Sequence, residues 1–190
     1  MIDQLRANID AHIQAVQQLT SDHIEMIVRI ADAIASSINS GGKLMLAGNG
    51  GSAADAQHIA GEFIGRFLYD RRPLPAIAFS TDTSVLTCVG NDYSYDDVFA
   101  RQVEALGCDG DVFWALSTSG NSANVVAAAE AARRRGVTVV GFTGRKGGKL
   151  ARIADLCLAV PADRTDRIQE LHMLAYHLVC QLSEEKLCPR

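Results

Sequence analysis

Five short apolar runs, at residues 43–47, 76–80, 111–117, 138–143 and 156–160, alternate with segments of helical pattern through most of this chain. They read as nearly continuous apolar stretches, such as Leu44-Met45-Leu46-Ala47, which suits strands covered on both faces. A strand that returns to the same sheet after a helix runs parallel to the one before it, through a right-handed crossover. The pattern therefore predicts an α/β fold with a five-stranded, mostly parallel sheet and helices on both faces, a flavodoxin-like three-layer sandwich with helices added at the N-terminus. With 190 residues the chain reads as one domain, large enough to bury roughly 70% of its unfolded surface and to fold without a disulfide or structural metal.

Apolar spacing and stop signals place the helices. Leu5, Ile9, Ile13, Val16 and Leu19 form one stripe over residues 1–20. Ser21 or Asp22 can cap a second helix to Ser37, ended by Ser40-Gly41-Gly42. Two helices ahead of the first strand exceed what one small sheet needs. Residues 1–40 are therefore expected to include an oligomer-forming face, the alternative being that the first helix folds back on its own domain. Residues 41–190 form the α/β core, with helices expected at 52–68, 84–89, 96–106, 123–135, 149–153 and, longest, 164–186. A polar break is expected at Gly90-Asn91-Asp92-Tyr93, and Asp82, Asp96 and Asp97 read as helix caps.

Residues 43–62 carry the first chemistry. The strand passes into Gly48-Asn49-Gly50-Gly51-Ser52, and Ser52 can cap the helix that follows. A glycine turn at a helix N-terminus presents free backbone N–H groups to an anion. On the same helix His58 and Glu62 stand at i and i+4, one turn apart on one face. Such a turn can also bind nothing, and such a pair is often a solvated contact. Gly48-x-Gly50-x-x-Ala53 fits the loose dinucleotide fingerprint, but the nearest acidic partner, Asp82, lies about 30 residues on where about 20 is required.

The second loop, Ser117-Thr118-Ser119-Gly120-Asn121-Ser122, again joins a strand to a helix. Capping needs one hydroxyl; four within six residues suit a single terminal phosphate, whose oxygens hydroxyls and backbone N–H groups can ligate without a lysine. Both loops fall where ligands bind in such sheets, beyond the carboxyl ends of the strands.

Other classes are disfavoured. A net charge of −4 argues against a broad nucleic-acid surface. No apolar run is long enough to span a membrane, and Met1-Ile2-Asp3-Gln4-Leu5-Arg6 does not read as a signal peptide. Cys88, Cys108, Cys157, Cys180 and Cys188 are odd in number with no Cys-x-x-Cys pair, which suggests a reducing, cytoplasmic setting and no zinc knuckle.

From about Gly41 to Leu182 the chain resembles the sugar isomerase (SIS) domain family, and within it the phosphoheptose isomerase branch. The resemblance rests on Gly48 to Ser52, Gln57-His58-x-x-x-Glu62-x-x-x-Arg66, Val89-Gly90-Asn91-Asp92, Ser117 to Ser122, and Asp166-Arg167-Ile168-Gln169-Glu170-x-His172. It implies an aldose–ketose isomerase that converts sedoheptulose 7-phosphate to D-glycero-D-manno-heptose 7-phosphate through an enediol, the first step toward nucleotide-activated heptose. Glu62 matches the family's base and His177 its general acid/base. His58, Glu62, Gln169 and His177 match the zinc ligands of metal-bound members, one ion per subunit. A carboxylate held tightly by zinc is a poorer base, so Glu62 would need to keep one oxygen free. The implied substrate contacts are Asn49, Gly50, Gly51, Ser52, Glu62, Arg66, Asn91, Asp92, Ser117, Thr118, Ser119, Ser122, Asp166 and Gln169. His172 is left as a structural or supporting residue.

The resemblance further implies a homotetramer with sites at subunit interfaces. Helix geometry leads the same way: Gln169 and His177 are separated by roughly 12 Å of rise and ~80° of rotation, so the C-terminal helix of one copy is expected to meet the 43–62 unit of another. A second reading is a non-catalytic relative that senses phosphosugars or binds the replication initiator, and a third is an isomerase of a shorter sugar phosphate. The silent module needs neither Glu62 nor His177.

Overall fold

The computed structural model describes residues 1–190. In chain order it contains α1 (Ile2–Gln17), α2 (Ser21–Asn39), β1 (Leu44–Ala47), α3 (Gly51–Ile64), β2 (Ala76–Ala78), α4 (Thr83–Asp92), a 3₁₀ turn (Tyr95–Asp97) and α5 (Ala100–Leu106). It continues with β3 (Val112–Leu116), α6 (Ala123–Arg134), β4 (Thr138–Gly144), α7 (Leu150–Ile153), β5 (Leu156–Val160) and α8 (Thr165–Leu187). The strands form one sheet in the order β2-β1-β3-β4-β5, and every neighbouring pair is parallel. The direction of winding reverses between β1 and β3, and the crevice outside their carboxyl ends is where such sheets bind ligands. The glycine turn leaves β1 and the serine loop leaves β3, so both open there.

Alternation along the strands divides the core. Leu44, Leu46, Val112, Trp114 and Leu116 point to the face covered by α2, α3 and α8. Met45, Ala47, Phe113 and Ala115 point to the face covered by α5 and α6. The α2 residues Ile27, Ile30, Ile34 and Ile38 are buried in the first cluster, so this face of α2 belongs to the domain core. Only α1 leaves its stripe bare: Leu5, Ile9 and Ile13 are exposed, while Val16 and Leu19 pack against the core. No helix is long and apolar enough to cross a membrane.

Several helix ends differ from expectation. Thr20, not Ser21 or Asp22, starts α2, with the Thr20 backbone N–H donating to His23 Nδ1 at 3.1 Å. Gly50, with φ 54°, turns the chain into α3, so Ser52 lies inside the helix. Asp82 does cap α4, accepting from the Val85 N–H at 3.0 Å. That helix runs on through the expected break at Gly90 to Asp92, because polar residues on a solvent-facing last turn do not interrupt it. Ser94, rather than Asp96 or Asp97, caps the short turn ahead of α5. Finally, α3 stops at Ile64 instead of near Leu68, because Arg71 donates to the carbonyls of Glu62, Phe63 and Gly65 and terminates the helix.

Candidate active site

Helices α3 and α8 of the same chain pack side by side and bring His58, Glu62 and His177 together, one ligand atom of each lying within 4.8 Å of the others. Within one chain, the crossover after β5 returns α8 over the same sheet face as α3. His58 Nε2 donates to Glu62 Oε1 at 2.9 Å. A carboxylate only accepts, so that nitrogen carries the proton, and His58 Nδ1 accepts from the Tyr176 hydroxyl at 3.1 Å. Oε1 alone of the Glu62 oxygens is engaged, which leaves Oε2 free to act on a ligand.

The His177 ring is stacked on Phe67, with centroids 5.7 Å apart at 21°, and meets the rings of His58 and Tyr176 edge-on. Burial pushes the His177 pKa below its ordinary value, the neighbouring His58 pushes the same way, and Glu62 pulls it back up. The ring is thus neutral at pH 7 and can both give and take a proton. Tyr176 is held protonated, first by burial and then by the negative charge of Asp55.

Gln169 is held by a neighbour on α3. Its amide donates to Asp55 Oδ2 at 2.9 Å, and it lies about two turns along α8 from His177. A side chain at Gly51 would collide with that amide, so the glycine lets α8 seat against the turn. Asp55 is buried, and burial raises its pKa, opposed by Gln169, His58 and Tyr176. Asp55 and Tyr176 were missed by sequence reasoning. The signal was there: Asp55 precedes His58 by three residues on α3, and Tyr176 adjoins His177.

The loops are locked by amides and glycines. Asn49 Nδ2 donates to Asn124 Oδ1 at 2.8 Å and Asn124 Nδ2 donates to Asn49 Oδ1 at 2.9 Å, which ties the glycine turn to the start of α6. The Tyr95 hydroxyl donates to Asn49 Oδ1 at 3.1 Å. Asn124 and Tyr95 are further residues the sequence did not single out. Within the second loop the hydroxyls of Ser117 and Ser122 lie 2.9 Å apart, and the Asn121 N–H donates to Ser119 Oγ. Gly120 has φ 65°, and a side chain there would run into the Gly147 carbonyl. The loop is thereby pressed on the β4–α7 turn, with a cavity of about 270 Å³ beside Thr118 and Ser119.

The remaining expected contacts sit at the ends of helices. Arg66 lies beyond the end of α3, not one turn further along it, and is exposed. Asn91 donates to Asp92 Oδ1 at 2.8 Å at the exposed end of α4. Asp166 is held by Arg164 and Arg167, and the hydrogen bond from Arg164 keeps its carboxyl well below the usual range.

His172 is fully buried and donates from Nε2 to the Thr143 carbonyl at 3.1 Å, behind the serine loop. Burial pushes its pKa down to about 4, against the opposing pull of that hydrogen bond. Between pH 6.5 and 4 the unfolded chain takes up a proton that the folded chain refuses, so stability falls as pH falls. The loss should approach about 3 kcal/mol by pH 4. Urea unfolding across this range should show a shallower acid loss for His172→Gln than for the parent; parallel curves would contradict the assignment.

The SIS domain family matches residues 7–144. The chain is 51% identical to a phosphoheptose isomerase of Rhodospirillum rubrum over 99% of this chain and 100% of that one. It is 50% identical to a phosphoheptose isomerase of Geobacter sulfurreducens over the full length of both. The solved phosphoheptose isomerase of Neisseria gonorrhoeae superposes with a TM-score of 0.91 at 44% identity, over 96% of this chain and 98% of that chain.

Proposed function

This chain belongs to the SIS domain family, in its phosphoheptose isomerase branch, and from that premise we propose that Glu62 and His177 carry its aldose–ketose isomerisation. The substrate is sedoheptulose 7-phosphate and the product D-glycero-D-manno-heptose 7-phosphate, the aldose with its carbonyl at C1 and the same phosphate. The observation that carries the assignment of residues is the meeting of Glu62, His58 and His177 between α3 and α8. A silent docking or sensing module would need no such group and is not favoured.

The phosphate is anchored by Ser117, Thr118, Ser119 and Ser122 together with the glycine turn and Ser52. The reacting end then extends along α3, where His58 follows Gly51 by about 10 Å of helix. The free oxygen of Glu62 takes the proton from C1 and returns it to C2, giving an enediol between the two steps. His177 moves the hydroxyl proton from O1 to O2, so the carbonyl passes from C2 to C1 with no net change in protons. Arg66, Asn91, Asp92 and Asp166 would contact the sugar hydroxyls.

Two imidazoles and a carboxylate are a donor set that suits catalytic zinc with an open position. His58, Glu62 and His177 would hold it, and the Gln169 carbonyl oxygen, left free by the bond from its Nε2 to Asp55, would be the fourth ligand. When bound, zinc would polarise the sugar oxygens. Zinc should bind the parent at about one ion per chain, with 10-fold or greater weakening in His58→Ala, read by calorimetry; equal affinities would remove His58 as a ligand.

The bare stripe of Leu5, Ile9 and Ile13 supports assembly into a homotetramer through α1. Light scattering should return four chains per particle, and a monomer in Ile9→Asp; a parent monomer would refute it. The five cysteines are all free, which supports a reducing, cytoplasmic setting. The function itself is tested by incubating the protein with sedoheptulose 7-phosphate, with and without a chelator, and watching for aldose by NMR. Absence of aldose under both conditions would refute it.

A further inference from the structure

Nothing in the isomerisation uses the Arg71–Glu184 pair, yet it is among the most buried charge pairs in the molecule, with side-chain exposures of 4% and 1%. Arg71 Nε donates to Glu184 Oε1 at 3.0 Å. Its Nη2 donates to the Glu62 carbonyl at 2.7 Å, and Nη1 to the Phe63 and Arg72 carbonyls at 2.8 and 2.9 Å. From the other side, Glu184 accepts the backbone N–H groups of Phe67 and Leu68 at 2.8 and 2.7 Å. Burial would raise the Glu184 pKa, but those two N–H groups and Arg71 outweigh it and keep the carboxyl ionised.

Stability alone is a weak reason for such a pair, because apolar residues of similar volume usually serve as well. Its contacts point elsewhere. Arg71 grips the backbone of Glu62 itself. Glu184 grips the backbone of Phe67, whose ring is stacked on His177. Glu184 also follows His177 by seven residues on α8, two turns along nearly the same stripe. The pair is therefore bonded to both halves of the reacting couple through the segment that follows α3.

We propose that Arg71 and Glu184 are positioning residues for the isomerisation, a buried clamp that fixes the end of α3 and sets the Glu62 carboxylate against the His177 ring. The proposal rests on the assignment of Glu62 and His177 above. It gives the segment after α3 a function: the helix stops at Ile64 so that Arg71 can reach back over its last carbonyls and Phe67 can reach His177.

Arg71→Lys, Glu184→Gln and Phe67→Leu test it in the full-length protein. Parent turnover is measured first and reads the isomerase assignment alone; the ratio of variant to parent reads the clamp. Lysine cannot span three carbonyls and a carboxylate, and glutamine turns a donor toward the Leu68 N–H. Both variants should lose hydrogen-exchange protection at the Phe67 and Leu68 amides. Their kcat should fall roughly 10- to 100-fold, with KM within about threefold of the parent, since a displacement of about 1 Å is enough for such a loss. Phe67→Leu leaves the ion pair intact; it should keep both amides protected and still lose roughly fivefold in kcat, a partial displacement on the same scale. Folded clamp variants that lose amide protection but turn over at the parent rate would overturn the proposal. If the clamp variants do not fold, an unchanged kcat in Phe67→Leu would overturn it.

Discussion

Glu62→Gln is expected to abolish interconversion of sedoheptulose 7-phosphate and its aldose, with kcat lowered by about 10³-fold or more, the upper part of the range for a positioned base. Glutamine fills the same space and can still meet His58 Nε2 through its carbonyl. What it lacks is an oxygen basic enough to take a proton from carbon. The measurement that isolates this step is solvent exchange. In deuterium oxide the parent should place deuterium at C2 of the aldose, and Glu62→Gln should place none. The variant should still bind the sugar phosphate, because the serine loop is untouched. Turnover near the parent level would remove Glu62 as the base.

His177→Ala is the second large effect, expected at about 10²- to 10⁴-fold in kcat. Its signature should differ. With the base intact, the variant should still wash deuterium into C1 of the ketose while little aldose forms, because the proton between O1 and O2 no longer moves. Loss of both signals together would make His177 a scaffold for Glu62. In the parent, the downward pKa shift of His177 by burial and by His58 sets the acid limb of the kcat profile below pH 6.5. Activity should hold through mildly acidic pH and fall as the ring takes its proton. An acid limb above pH 6.5 would contradict that shift.

Much of this molecule could be read from residue order. Leu44-Met45-Leu46-Ala47 and the four other apolar runs placed the strands, because burial on both faces leaves a local mark in the sequence. The spacing of His58 and Glu62 placed an imidazole and a carboxylate on one face, because helix periodicity is local too. The end of α3 was not legible. It depends on Arg71, seven residues beyond the last helical residue, and on Glu184, which lies on a helix at the other end of the chain. The amide exchange between Asn49 and Asn124 was hidden for the same reason, since it exists only once β1 and β3 are neighbours. The spacing of Gln169 and His177, about two turns apart on one helix, was legible because helix periodicity is local. One chain by itself brings His58, Glu62 and His177 together, while the Gln169 amide turns to Asp55.

Helix α8 touches Gly51 through Gln169, the end of β4 through His172, α3 through Tyr176 and His177, and the segment after α3 through Glu184. These contacts share one rigid axis, so they are indexed to one another like marks on a rod. A single residue inserted between Gln169 and His172 would turn everything downstream by about 100°. The glycine turn would keep its partner while the imidazole at 177 swung off α3 together with its clamp. Drift in length can be absorbed after Leu187, where the rod ends, and nowhere between its first mark and its last.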